Sequence, residues 1–302
     1  MKSWKKLLFA AICVLFVLTE GCGIKEENTD SSFTAGNSLK ESKNATDSKE
    51  NVETVLTKDS GMKENASFES VNQSVEILVG AAASLQNSME EIGELYQQEN
   101  PKVTVTFTFG SSGTLKEQIE QGAPIDVFMS AAIKQMTDLE EKGLILENTK
   151  RVLPENKVVL IVPKDSTLNI TGFGDILKAS VIALGDPESV PAGQYAEEVL
   201  TYFNILDNVK KKASYGKDVT EILTWVSTGN ADAGVVYATD AKLSQDVTVV
   251  FEAPEGSTSK VLYPVAVTKD SKEAEAAKAF VDFLASDKAI KVFENYGFSA
   301  AK

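Results

Sequence analysis

Histidine is missing from all 302 residues, and cysteine occurs only as Cys13 and Cys22. These two absences exclude a Ser-His-Asp triad, a Cys-His pair, a zinc finger and a histidine metal cluster. Catalysis, if any, would fall to carboxylates, lysine or tyrosine, and no disulfide can form beyond residue 22. Positive charge is scarce too: 30 Lys and Arg stand against 44 Asp and Glu, a formal net charge of −14. Nucleic acid is excluded as a partner, because phosphate contacts need clustered Lys and Arg. An anionic ligand would have to be held by local, preorganised donors against the field of the whole chain. Only one long uncharged apolar run occurs, residues 7–18, and it is too short to span a membrane.

That run follows Lys2, Lys5 and Lys6 and has the form of the apolar region of a secretion signal. Gly21-Cys22-Gly23 comes directly after it. A cysteine there resembles a bacterial lipoprotein cleavage site, which makes 1–22 the expected lipoprotein signal peptide and Cys22 the expected lipidated residue. The fit departs in Thr19 and Glu20, which displace Leu18 by one position from the usual leucine. A lone free cysteine outside the cell is otherwise a liability. Residues 23–74 are rich in Ser, Asn, Glu, Lys and Thr, and their few apolar residues have no period. Such a segment buries too little surface to offset its ordering entropy, so a disordered tether is expected. About 50 residues of coil reach roughly 40 Å, which suits a domain held near a membrane by a lipid.

From residue 75 the pattern becomes periodic. Apolar or alternating runs at 75–79, 103–109, 126–129, 158–162, 181–184, 233–237, 247–251 and 261–267 read as strands. Helical spacing appears at 85–96, 115–119, around Met136 and Leu139, at 195–203 and 219–228, and from 272 to about 296. Strand and helix alternate, so the fold class is α/β with mainly parallel sheets. The roughly 228 residues are many for a single doubly wound sheet, and two lobes flanking a ligand cleft are expected. Glu90, Glu91 and Glu94 read as a solvated helix face, and Trp225 as helix packing.

Several strands end in small or hydroxyl residues where a helix begins. Residues 75–79 run into Gly80-Ala81-Ala82-Ala83-Ser84-Leu85, and 103–109 into Gly110-Ser111-Ser112-Gly113-Thr114. Pro191-Ala192-Gly193 opens a helix with proline in its first turn. Asp218-Val219-Thr220-Glu221 reads as a cap with a glutamate three residues on. Helix starts carry unpaired N–H groups and the positive end of the dipole, so they are ready anion sites. Each one alone is most simply an ordinary cap, and Tyr237 alone is most simply packing at the edge of a core. Converging on one cleft, four such starts would bind a compact dianion without Lys or Arg.

The motifs Gly-Ala-Ala-Ala-Ser-Leu at 80–85, Phe-Gly-Ser-Ser-Gly-Thr-Leu at 109–115 and Gly-Ala-Pro-Ile-Asp-Val-Phe at 122–128 resemble the periplasmic molybdate-binding protein family. So do Gly-Asp-Pro-Glu-Ser-Val-Pro-Ala-Gly at 185–193, Gly-Val-Val-Tyr at 234–237 and Tyr-Pro-Val-Ala-Val at 263–267. The likeness runs in order over about 75–298. It implies a type II periplasmic binding protein: two α/β lobes with a ligand cleft and two crossings, lobe one at 75–156 plus 260–302 and lobe two at 157–259. It implies no enzyme and no cofactor. The expected role is capture of molybdate, and tungstate with it, by an extracytoplasmic monomer anchored to the cell membrane through its N-terminal lipid. The expected partners are an ABC permease and its ATPase.

By position in the motifs, Ser84 and Ser112 would give hydroxyls, Ala192 and Val219 backbone amides, and Tyr237 a phenol. Molybdenum would be held only as its oxyanion, with no direct protein ligand. A site of donors with no carboxylate would reject an oxyanion that carries a proton. Relatives often have serine at the position of Gly113, so a looser loop is expected there. The alternatives are a receptor for sulfate or another small anion, or a sensor module without transport. An enzyme on this plan, such as hydroxymethylbilane synthase, would need a cysteine in the folded body.

Overall fold

The computed structural model describes residues 74–301. The expected signal peptide, Cys22 and the expected tether up to residue 73 lie outside the described residues. The strands along the chain are β1 (Val75–Ala82), β2 (Val103–Gly110), β3 (Val127–Met129), β4 (Arg151–Asn156), β5 (Val158–Pro163), β6 (Ile182–Gly185), β7 (Ala213–Gly216), β8 (Ala233–Tyr237), β9 (Val247–Glu252), β10 (Val261–Val267) and β11 (Ser299–Ala300). The helices are α1 (Gln86–Glu99), α2 (Ser112–Glu120), α3 (Ile133–Glu141), α4 (Pro191–Tyr202), α5 (Leu206–Lys210), α6 (Val219–Ser227), α7 (Ala238–Lys242), α8 (Ala274–Leu284) and α9 (Asp287–Tyr296).

Two sheets result, one in the order β11-β4-β10-β3-β1-β2 and the other β7-β6-β8-β5-β9. The chain passes from the first to the second between β4 and β5, through Lys157, and returns between β9 and β10. These are the two crossings of a two-lobe α/β fold. The sheets are mixed, however, and not mainly parallel. β1 pairs parallel with β2 and β3, and β6 with β7 and β8. β10 runs antiparallel to both β3 and β4, and β5 antiparallel to β8 and β9. The crossings are the reason: a strand arriving from the other sheet enters from the opposite end.

Local packing follows from the apolar periods. Met89, Ile92 and Tyr96 of α1 are buried, and the Tyr96 ring meets Phe280 of α8 edge-on at 5.1 Å. All residues of β8, and all of β5 but Pro163, are buried, as befits inner strands covered on both faces. Each fully buried Leu, Ile or Phe contributes about 1.5–3 kcal/mol. The C-terminal helical stretch is broken at Ala285–Ser286, where the Ser286 hydroxyl accepts from the Ala289 amide at 3.4 Å and starts α9. In the second sheet, α4 is set tightly onto the end of β6. A Cβ on Gly193 would collide with the carbonyl of Gly185, so only glycine lets the two backbones approach this closely.

Candidate anion-binding site

Ser84, Ser112, Ala192, Val219 and Tyr237 all line one cavity. Each stands at the carboxyl end of a strand, where ligands sit in open α/β sheets. Ser84 follows β1, Ser112 opens α2 after β2, and Ala192 lies in the first turn of α4 beyond β6. Val219 opens α6 after β7, and Tyr237 closes β8. The cavity has a volume of ≈ 210 Å³, open solvent at its mouth included. Among the described residues no lysine or arginine lines it.

The hydrogen-bond polarity of the lining can be worked out group by group. Ser112 is fully buried, and its Oγ accepts the Ala131 amide at 2.9 Å. Its own proton is therefore left to donate. Neighbouring Ser111 is spent differently: it caps α2, accepting from the Thr114 amide at 3.1 Å and donating to the Thr114 hydroxyl at 2.8 Å. Tyr237 is 1% exposed, yet its Oη has no hydrogen-bond partner among the described residues. Burial pushes its phenol well above the ordinary value, so it remains a neutral donor. First-turn amides have no intrahelical acceptor, and no acceptor from another segment meets Ala192 N or Val219 N among the described residues. Ser84 is 8% exposed, and its hydroxyl lies 2.9 Å from the Tyr263 hydroxyl.

One carboxylate does reach the lining, which corrects the expectation of a site without any. Asp218 lines the cavity, but its Oδ1 is engaged as the cap of α6, accepting the Glu221 amide at 2.9 Å. Glu221 in turn accepts the Lys217 amide at 2.8 Å. A second carboxylate, Asp240, lies buried beneath Tyr237 and accepts its amide at 3.3 Å. Burial pushes the Asp240 carboxyl up to about 7, against the pull of the backbone amides it accepts. Among the described residues no group of three or more His, Cys, Asp or Glu side chains is placed to hold a metal ion.

The two sides of the cavity are in contact. Gly113 of α2 donates its amide to the Ser189 carbonyl, just ahead of α4, at 2.9 Å. Gln135 of α3 donates to Gln194 of α4 at 3.3 Å. A looser loop at Gly113 is not what the structure shows, because a Cβ there would collide with the Ser189 backbone. Three buried residues beside the site carry no sequence signal for a role: Asn156, Asp240 and Tyr263. Tyr263 lies in the motif at 263–267, where it is a phenol in an otherwise apolar strand.

Two α/β halves that close unpaired donors around a small cavity define a protein that holds a ligand rather than transforms one. The chain belongs to the family described as bacterial extracellular solute-binding protein, which matches residues 77–299. It is similar to the “Putative ABC transporter substrate-binding lipoprotein YvgL” of Bacillus subtilis, 44% identical over 80% of this chain and 92% of the relative. It is likewise similar to the molybdate-binding protein ModA of Haemophilus influenzae, 44% identical over 75% of this chain and 91% of that one. Among solved structures, the periplasmic molybdate-binding protein of Azotobacter vinelandii shares the fold, with a TM-score of 0.67 over 75% of this chain and all of the other, at 22% identity.

Proposed function

We propose that this protein captures a small, fully deprotonated tetrahedral oxyanion, molybdate and also tungstate, and delivers it to the permease and ATPase of an ABC importer. The observation that carries the reading is the Tyr237 hydroxyl, a buried donor with no partner among the described residues, in a cavity also lined by the Ser84 and Ser112 hydroxyls and the first turns of α4 and α6. An oxyanion with four acceptor oxygens and no proton satisfies that set. An oxyanion bearing O–H would turn a donor toward a donor. The ligand groups are the hydroxyls of Ser84, Ser112 and Tyr237 and the amides of Ala192 and Val219. The relatives named for molybdate binding support the choice of anion.

The lobes run over 75–156 plus 260–302 and over 157–259, a division supported by the membership of the two sheets. Closure about the crossings would exclude water and strengthen each charge-assisted bond. A lipid on Cys22 anchors the chain outside the cytoplasm, a reading supported by the leader and by the naming of YvgL as a lipoprotein. Replacing Cys22 with serine should release the chain from membranes, and continued membrane association would refute the anchor.

Calorimetric titration of the full chain with molybdate, tungstate, sulfate and phosphate tests the ligand. One-to-one binding of the first two alone is expected. Binding of sulfate instead would keep the donor logic and overturn the choice of anion, and silence from all four would overturn the site.

A further inference from the structure

Ser84 donates to the ligand only if something obliges its proton to point into the cavity. The structure contains a chain of hydrogen bonds that does so, and it begins at a group whose polarity admits no choice. The Lys157 backbone N–H can only donate, and it donates to Asn156 Oδ1 at 2.9 Å. That fixes the orientation of the Asn156 amide, so its Nδ2 faces Tyr263 Oη at 3.1 Å and Thr239 Oγ1 at 2.8 Å. An amide NH2 has no lone pair to offer, so the Tyr263 oxygen must accept. The single phenolic proton then goes to the other neighbour of Tyr263, Ser84 Oγ at 2.9 Å. Ser84, having accepted, keeps its one proton for the cavity it lines. Asn156, Thr239, Tyr263 and Ser84 are all buried, so water does not compete freely for these bonds.

We propose that Asn156 and Tyr263 are positioning residues that make Ser84 an obligate donor and so help the site reject protonated oxyanions. The inference rests on the oxyanion reading above. The relay starts at Lys157, the single residue between β4 and β5, where the chain crosses from one sheet to the other. Asn156 also ties in Thr239, two residues beyond Tyr237. One amide at the crossing is thus bonded toward both halves of the site.

A double-mutant cycle on the full chain tests the relay. Molybdate affinity would be measured by calorimetry for the unaltered chain, Ser84→Ala, Tyr263→Phe and the double variant. Ser84→Ala should bind about tenfold more weakly or worse, and Tyr263→Phe at least about threefold more weakly. The double variant should be no more than about twofold weaker than Ser84→Ala alone, because the phenol acts through the serine. A second readout uses sulfate and phosphate as competitors at mildly alkaline pH, where both are dianions of similar size and only phosphate carries O–H. Phosphate should gain on sulfate in Tyr263→Phe, since a freed Ser84 can accept. Should Tyr263→Phe fail to fold, Asn156→Ala takes its place and should show the same non-additivity with Ser84→Ala. Penalties that add, or unchanged affinity in the folded single variant, would overturn the relay and leave the oxyanion reading standing. Absence of molybdate binding by the unaltered chain would overturn that reading, and the relay with it.

Discussion

Gly113 donates its backbone N–H to the carbonyl of Ser189 at 2.9 Å, joining the start of α2 on one sheet to the approach of α4 on the other. No side chain fits between them, since a Cβ on Gly113 would overlap Ser189. Gly113→Ala should therefore wedge the two sides apart. Oxyanion affinity is expected to fall by about 1–3 kcal/mol, the usual cost of forcing an atom into a packed contact. Thermal unfolding of the ligand-free chain should change much less, because opening the halves relieves the overlap. Calorimetry beside a thermal melt distinguishes the two effects.

The paired serines should differ in what they do to binding. Ser112→Ala removes a proposed ligand donor and leaves the Ala131 amide without its acceptor, so it should also lower stability. It should weaken binding by about 1–3 kcal/mol. Ser111→Ala removes the cap of α2, which should cost about 1 kcal/mol of stability with a smaller effect on affinity. Chemical unfolding should show a loss in both variants, while titration should show the larger loss for Ser112→Ala; equal losses of affinity would argue against distinct roles.

Tyr237→Phe should move stability and affinity in opposite directions. The hydroxyl is buried without a partner among the described residues, which costs about 1–3 kcal/mol. Its removal should leave the empty protein at least as stable as before while binding weakens. A melting temperature measured with and without molybdate reads both quantities, because the ligand-induced rise shrinks as affinity falls.

Asp240 should give the folded protein a pH dependence in the less usual direction. Its carboxyl is pushed up to about 7 by burial, from an ordinary value of 3.8. The folded state then binds a proton that the unfolded chain has already lost between those two values. Stability should fall as pH rises from about 4 through about 7, by an amount on the order of a few kcal/mol. Asp240→Asn keeps an oxygen to accept the Tyr237 amide and has nothing to titrate. Denaturant unfolding at several pH values should show that slope flattened in the variant.

Much of this arrangement was legible in the residues. The eight strands expected from apolar runs are all present, because inner strands such as β5 and β8 need continuous apolar side chains. That Ser84, Ser112, Ala192 and Val219 stand at helix starts was legible because small or hydroxyl residues and a cap follow the strand ends, and the structure brings all four to one cavity. What escaped was short or chemically ambiguous. β4 carries Arg151, Pro154 and Glu155 in six residues, and β7 is four residues with no period. The antiparallel entry of β5 and β10 depends on which sheet a strand joins, which no local pattern encodes. Asn156 and Tyr263 were invisible for a related reason: a polar residue acting through another leaves its mark only in three dimensions.

The five proposed ligand groups are unequally shared, Ser84 and Ser112 coming from the first sheet and Ala192, Val219 and Tyr237 from the second. Neither share alone can surround a tetrahedral anion, so the cargo acts as the mortar between two incomplete cups. Under the proposed function, the outer shape of the molecule would become a readout of occupancy. A membrane partner that recognised only the shut outline would tell a loaded carrier from an empty one without touching the anion at all.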